Sequence, residues 1–346
     1  IKDAIYRGRE DFVYRIALGP MPFVTSIFPL GGRAGAKTTV ALQGWNLPSG
    51  GLTLDAQGRG PGIFTTPLLK GGRFTNRVPF ALDTLPERME IEPNNDKRKA
   101  QQVELPLIVN GRIDRPGDWD VFRFKGRAGD EIVAEVQARR LGSPLDSLLK
   151  LSDADGKLLT ANDDYEDEGA GLTTHHADSH LGFKLPKDGT YLIHLGDTQY
   201  KGGQAYAYRL RIGPRRPDFE LRVSPSSVNT GAGTNVPITV HALRRDGFSG
   251  DITLRLKNKA PGFKLSGGWI PTGQDKVRLT LAVPRVAQRR PIKLWLEGLA
   301  VIKGREVRRT AVPAEDMMQA FFYRHLVPAK DWIVSVTGSG RRGPAL

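Results

Sequence analysis

Asp130–Arg140 reads DEIVAEVQARR, and its spacing decides the fold. Ile132, Ala134, Val136 and Ala138 share one side of a two-residue period, with Glu131, Val133, Glu135 and Gln137 on the other. Alternation of this kind belongs to an extended strand with one face on a core. Thr190–Asp197 (TYLIHLGD) and Tyr206–Gly213 (YAYRLRIG) repeat the pattern through Tyr191/Ile193/Leu195 and Tyr206/Tyr208/Leu210/Ile212. No stretch of normal helix length carries a 3.6-residue period. The chain reads as all-β, in short strands punctuated by Gly, Pro, Asn and Asp.

An ungapped internal match sets the outer limits of this central unit. Residues 3–20, DAIYRGREDFVYRIALGP, align with 197–214, DTQYKGGQAYAYRLRIGP. Asp3/Asp197, Tyr6/Tyr200, Gly8/Gly202, Tyr14/Tyr208, Arg15/Arg209, Gly19/Gly213 and Pro20/Pro214 are identical. The second copy closes a unit spanning 89–213. The first, residues 1–20, reads as the last strand of a preceding unit of the same kind, which makes the chain a segment of a larger protein. Between them, 21–88 opens with PFVTSIFPLGGRAGAKTTVALQGWNL, alternating Thr39/Ala41/Gln43 against Val40/Leu42 and closing at Gly44-Trp45-Asn46-Leu47. This opening resembles the IPT/TIG immunoglobulin-like module. Residues 214–313 hold FELRVSPSSVNTGAGTNVPITVHALRRDGFSGDITLRLKN, whose strand spacing resembles an immunoglobulin-like sandwich. Residues 314–346 form a C-terminal extension or the start of a further module, with one amphipathic stretch and one strand at Trp332–Val336.

The chain has 346 residues, no cysteine and a formal net charge of +14. Disulfides and thiolate chemistry are therefore excluded. No apolar run approaches the ~20 residues that span a bilayer, and the opening IKDAIYRGRED is too charged for a signal peptide. The charge is uneven: +5 over 1–89 (11 basic, 6 acidic), −4 over 90–213 (17 and 21) and +13 over 214–346 (23 and 10). The basic residues of the last third are spread along strands without a nucleic-acid motif, so they read as a solvated face rather than a nucleic-acid site.

The acids gather just before the first long alternating run. Met89–Ala100 is MEIEPNNDKRKA, and Arg115–Phe124 is RPGDWDVFRF. Residues two apart in extended chain project together, so Glu90 pairs with Glu92 and Asp118 with Asp120. With the Asn94 and Asn95 carbonyls they form a cage of hard oxygen donors. Calcium takes about 6–8 such donors, whereas zinc wants His or Cys. The other reading is an ordinary linker turn at Pro93 with solvated acids.

EIEPNND, NGRIDRPGDWDVFRF, AGDEIVAEVQA, LGSPLDSLLKLSDADGKLLTANDD and LPKDGTYLIHLGD occur in that order over roughly 90–213. Together they resemble the bacterial pre-peptidase C-terminal domain, a jelly-roll-like β-sandwich appended to secreted proteases and other exported proteins. The resemblance implies an extracytoplasmic setting, and calcium at Glu90, Glu92, Asn94, Asn95, Asp118 and Asp120. Arg112 and Arg115 flank the second loop and offer salt bridges in place of the ion. A second cluster, Asp146, Asn162, Asp163, Asp164 and Asp178, reads as loop-end Asx turns before it reads as metal ligands. SDADGK lacks the flanking helices and terminal glutamate of an EF-hand, and reads as a hairpin turn at Asp155-Gly156. His175, His176 and His180 lack a helix to set zinc geometry.

No nucleophile elbow, HExxH pair or phosphate-cradling glycine loop is present, so no catalytic residue is assigned and no organic cofactor is expected. The sequence therefore reads as tandem β-sandwiches: immunoglobulin-like, jelly-roll-like, immunoglobulin-like. Spacing, adhesion or substrate tethering is the first expectation. Its partners would be other domains of the same protein, a cell-surface protein or polysaccharide, or further copies of the chain. The alternatives are the accessory region of a subtilisin-like protease, or a surface assembly in which the basic third meets a neighbour's acidic middle.

Overall fold

The computed structural model describes residues 8, 10, 13–16, 18–47, 51–70, 72–171, 175–258, 260–319 and 323–338. These residues hold strands and two single-turn 3₁₀ helices, Arg139–Leu141 and Glu168–Ala170. No helix among them is long and apolar enough to cross a membrane.

The central sandwich is two five-stranded sheets. One runs Leu158–Asn162, Ser147–Asp153, Gly189–Asp197, Trp119–Gly126, Gln101–Gln102; the other His180–Lys184, Glu131–Gln137, Ala207–Pro214, Leu107–Arg112, Glu87–Met89. The face drawn from alternation is the buried one: Ile132, Ala134, Val136 and Ala138 are at most 5% exposed, and Tyr191, Ile193 and Leu195 at most 1%. They interdigitate with Phe122, Phe124, Leu149, Leu151, Tyr208 and Leu210. The turn at Asp155-Gly156 joins two paired strands, with Gly156 at φ +91°.

Two boundaries fall inside strands rather than between modules. Glu87–Met89 pairs in parallel with Leu107–Arg112, so the central sheet begins before residue 89. Val312–Gln319 continues the sheet of Asp218–Ser224, Tyr323–Pro328 pairs beside it, and Trp332–Thr337 pairs with Ser227–Gly231. The C-terminal strands therefore complete the third sandwich, with Trp332 and Val334 in its core beside Phe219, Leu221 and Val240. The stretch read as amphipathic is a β-hairpin of Val312–Gln319 and Tyr323–Pro328, which buries Ala314 and Leu326 and leaves Met317 and Met318 exposed. Of residues 1–20, those described lie outside strands, and the expectation of a closing strand there rests mostly on residues outside the described set.

The first module pairs a Phe23–Phe28, Lys37–Trp45, Leu52–Asp55 sheet with one of Gly31–Arg33, Arg73–Asp83, Gly62–Lys70. Its core includes Val24, Ile27, Val40, Phe80 and Leu82, and also takes in Leu141 and Ala207 from the central sandwich. Guanidinium groups join all three modules. Buried Arg209 donates to Glu87 (2.9 Å) and Asn110 (2.9 Å). Arg211 bridges Glu135 (2.9 Å) to Asp246 (2.9 Å) of the third module, and Arg245 of that module reaches Asp167 (2.6 Å). Arg216 spans from the second linker back to Asp83 of the first module (2.8 and 3.0 Å). The four arginines, with Asp83, Glu135 and Asp246, line a cleft of about 670 Å³ at the three-module junction.

Candidate metal centre

The linker and the Arg115–Asp120 loop converge at one end of the central sandwich. Oxygen atoms of Glu92, Asp118 and Asp120 lie within 4.8 Å of one another. Asp120 begins the same inward face as Phe122 and Phe124 and is fully buried. Its position is fixed by the pairing of Trp119–Gly126 with Gly189–Asp197. Asp118 is 5% exposed, and its Oδ2 accepts from the Asp114 amide at 3.1 Å. The Asn95 side-chain amide donates to its Oδ1. Glu92 lies at the exposed rim, and its Oε2 accepts from the Asn94 amide (3.0 Å).

Glu90 does not join that group. It turns into the sandwich, where its Oε1 accepts from the Arg112 amide (2.9 Å). Tyr208 reaches across from the opposite sheet, its hydroxyl 2.7 Å from Glu90 Oε2 and 2.6 Å from Asp120 Oδ2. A phenol has one proton, so two carboxyl oxygens at this range require that one carboxyl is protonated or that a cation draws off their charge. Burial raises the Glu90 carboxyl against the lowering effect of its hydrogen bonds. Burial, then the neighbouring Glu90 charge, raises Asp120. Burial also lifts the Tyr208 phenol well above its ordinary value, which keeps it a donor.

Two polar side chains here have open valences. Asp120 Oδ1 has no hydrogen-bond partner, and Asn94 is fully buried with neither Oδ1 nor Nδ2 partnered. Leaving such atoms dry costs on the order of 1–3 kcal/mol each. The donor set is oxygen and carboxamide throughout, which fits calcium and not zinc. The flanking arginines do not fill the place of an ion. The Arg112 guanidinium stacks on the Phe28 ring of the first module at 3.7 Å, and Arg115 Nε, on an exposed side chain, stays 4.0 Å from Asp118.

The second cluster does not converge. Asp178 is buried and saturated by the amides of Ala138, Arg139 and Arg140 (3.0, 2.6 and 3.1 Å) and by Arg140 Nε (2.8 Å). Asn162 ties the His180 amide to the Asp164 carbonyl, both at 2.8 Å. Asp163 accepts from the Asp164 amide (3.0 Å), and Asp146 from Gln199 (3.1 Å). Asp164 contributes only its backbone to these contacts. Each serves its own loop, as local side-chain-to-backbone bonding does. The rings of His176 and His180 pack on Tyr165 at 5.5 and 4.7 Å, and His180 Nε2 is 3.6 Å from Asp246. The His175 side chain lies outside the described residues.

Tyr208 and Gly111 are the participants that spacing missed. A Cβ on Gly111 would fall 2.1 Å from Glu90 Oε2 and 2.3 Å from the Tyr208 hydroxyl, so only glycine admits the pair. Tyr208 was visible as a repeat identity with Tyr14, but its partner is 118 residues away.

The family model of the bacterial pre-peptidase C-terminal domain matches residues 118–196, which places that domain in the central sandwich. A probable subtilase-type serine protease of Deinococcus radiodurans is 40% identical over 111 residues, covering 30% of this chain and 14% of that protein. The chain thus spans a small part of that relative. Among solved structures, the pre-peptidase C-terminal domain of a collagenase from Bacillus anthracis is similar with a TM-score of 0.24 and 14% identity. It covers 38% of this chain and 99% of that one. Surface layer protein SbsC, domains 1–6, is similar with a TM-score of 0.20 and 11% identity, over 87% of this chain and 41% of that one.

Proposed function

We propose that the chain is a non-catalytic accessory region of a secreted subtilase-type protease, with calcium fixing the entrance of its central sandwich. The kinship with the Deinococcus protein supports the protease setting and, with it, an extracytoplasmic location. The observation that carries the calcium reading is the burial of Asp120, with one oxygen unpartnered, against Asp118 and Glu92, where, among the described residues, the one guanidinium that reaches the group is exposed Arg115 at 4.0 Å from Asp118. Asp120, Asp118, Glu92 and the Asn94 carboxamide would hold the ion. Asn95 braces Asp118, and Glu90 with Tyr208 closes the inner wall. The ion would cancel the repulsion among the acids and fasten residues 90–96 to the sandwich, setting the angle at which the first module leaves it. In this role the chain spaces and tethers, presenting its outer modules to substrate, cell-surface protein or polysaccharide.

Hydrogen exchange tests this reading. Calcium is expected to slow exchange at the Asn94 and Val121 amides by tenfold or more over chelator, and Asp118→Asn to remove the difference. Equal exchange in calcium and chelator would dismiss the ion. A catalytic rate on peptide substrates by the isolated chain would dismiss the accessory role.

A further inference from the structure

Resting on the tethering role proposed above, we infer that the cleft at the three-module junction is the binding site of the tether and that its ligand is a neutral oligosaccharide. At about 670 Å³ the cleft falls within the ~300–1,000 Å³ of small-ligand sites, and it lies between domains, where such sites recur. Its lining inverts the usual one, in which apolar side chains predominate. Six arginines and five carboxylates face it, against two isoleucines, one proline and the Tyr165 ring. An apolar ligand would strip water from those charges, so the occupant is polar.

The pairing of the charges sets the ligand's own charge. On the floor Arg211 joins Glu135 to Asp246, and Arg140 makes a second bond to Glu135 (3.0 Å). Toward the rim Arg309 holds Asp218 (3.0 Å) and Arg245 holds Glu220 (3.2 Å). Arg216 on Asp83 and Arg209 on Glu87 complete the set. Each of the six guanidinium groups therefore meets a carboxylate, and each of the five lining carboxylates meets a guanidinium. Both floor carboxylates stay ionised at neutral pH, burial being outweighed by Arg140 and Arg211 at Glu135 and by His180 and Arg211 at Asp246. An anion would have to displace a carboxylate from its arginine, and a cation an arginine from its carboxylate. Neither finds an unmatched charge.

What the cleft offers instead is hydrogen bonding. A guanidinium carries more N–H donors, and a carboxylate more acceptor positions, than one or two bonds use. Donors and acceptors thus stand side by side, and a sugar hydroxyl both donates and accepts. They run from Asp246 and Arg211, 6% and 11% exposed, out to Glu220 and Arg309, 45% and 41% exposed. Tyr165, held against His180 at 4.7 Å, presents a ring for the C–H face of a sugar. A peptide would bring apolar side chains, for which the lining provides only Pro61, Ile63 and Ile108 beside that ring. Because Asp83, Glu135 and Asp246 come from three different modules, the bound sugar fastens all of them.

Calorimetric titration of residues 1–346 in chelator tests this, with cellohexaose, maltohexaose and N-acetylchitohexaose as probes and hexagalacturonate and a gelatin peptide as contrasts. At least one neutral hexasaccharide is expected to bind at one site per chain. Glu220→Gln and Arg309→Gln should each weaken it about tenfold, the size of one hydrogen bond to a charged group. Their melting should match that of the parent, because both pairs are partly exposed. Ile63→Trp, at a position 46% exposed on the cleft wall, should block binding outright. No binding by any of the three neutral sugars, binding by hexagalacturonate or the gelatin peptide alone, or binding that all three variants leave intact overturns the inference. Chelator keeps the outcomes separate: failure here leaves the calcium site and the accessory role standing, and failure of the calcium site leaves sugar binding standing.

Discussion

Two buried acidic regions at the borders of the central sandwich are neutralised in opposite ways. At the module junction, Glu135, Asp167 and Asp246 each meet a guanidinium. At the entrance, Glu90 and Asp120 meet each other through one phenol, and the nearest arginine has turned to a ring of the first module. Burial alone would raise Glu135, but the charges of Arg140 and Arg211 outweigh it and bring the carboxyl down to about 2. Asp246 is likewise lowered, its burial outweighed by hydrogen bonds from His180 and Arg211. At the entrance the shift runs upward, because no fixed cation opposes burial. A fixed guanidinium makes a permanent joint; a carboxyl pair without one makes a joint that a mobile ion can set.

The largest expected effect breaks the permanent joint. Glu135→Gln takes one carboxylate from Arg140 and Arg211, which keep Asp178 and Asp246, so the loss stays at or below the roughly 3–5 kcal/mol that removing one partner of a buried pair costs. With the side chain 18% exposed, the lower end applies, about 3 kcal/mol by denaturant unfolding. The same quantity appears as pH dependence. A carboxyl lowered from 4.5 to about 2 contributes stability that is complete above its unfolded value and lost as pH falls through the folded one. Unfolding free energy should therefore drop by about 3 kcal/mol between pH 4.5 and 2 in the parent chain, and by much less in Glu135→Gln.

Gly111→Ala comes next. Its methyl would displace Glu90 and Tyr208, and overpacking of this kind costs about 1–3 kcal/mol in the central sandwich. The entrance acids should then behave in the opposite sense to those at the junction. In chelator, Asp120→Asn removes a carboxyl whose ionisation opposes folding, so the expected change is neutral or a gain of up to about 1 kcal/mol. A loss as large as that of Glu135→Gln would erase the contrast. Smallest is Arg216→Ala: its pair with Asp83 is partly exposed at 39% and 21%, so stability should fall by less than about 1 kcal/mol. Small-angle scattering should nonetheless show a wider distribution of first-module positions.

The strand faces of the central sandwich were legible because alternation is local: Ile132 through Ala138 needs no partner to declare its buried side. The acids were legible as a group for the same reason, since Asp118 and Asp120 lie two apart. What sequence did not disclose lies across the sheets. Spacing coupled Glu90 with Glu92, but a contact from Tyr208 draws Glu90 inward and leaves Glu92 at the rim. Arg112 looked like a counter-ion by proximity in the chain, and a ring in another module claims it. Spacing counts Glu87 and Arg88 with the first module, and leaves 314–346 as an extension or the start of a further module, because short strands carry too little pattern to name their neighbours.

Calorimetric titration of residues 1–346 with calcium at neutral pH addresses the central claim most directly. One ion bound per chain, with the heat abolished in Asp120→Asn and retained in Glu135→Gln under conditions where that variant is folded, is the predicted result. Absence of binding heat, or a binding isotherm that Asp120→Asn leaves intact, would contradict it.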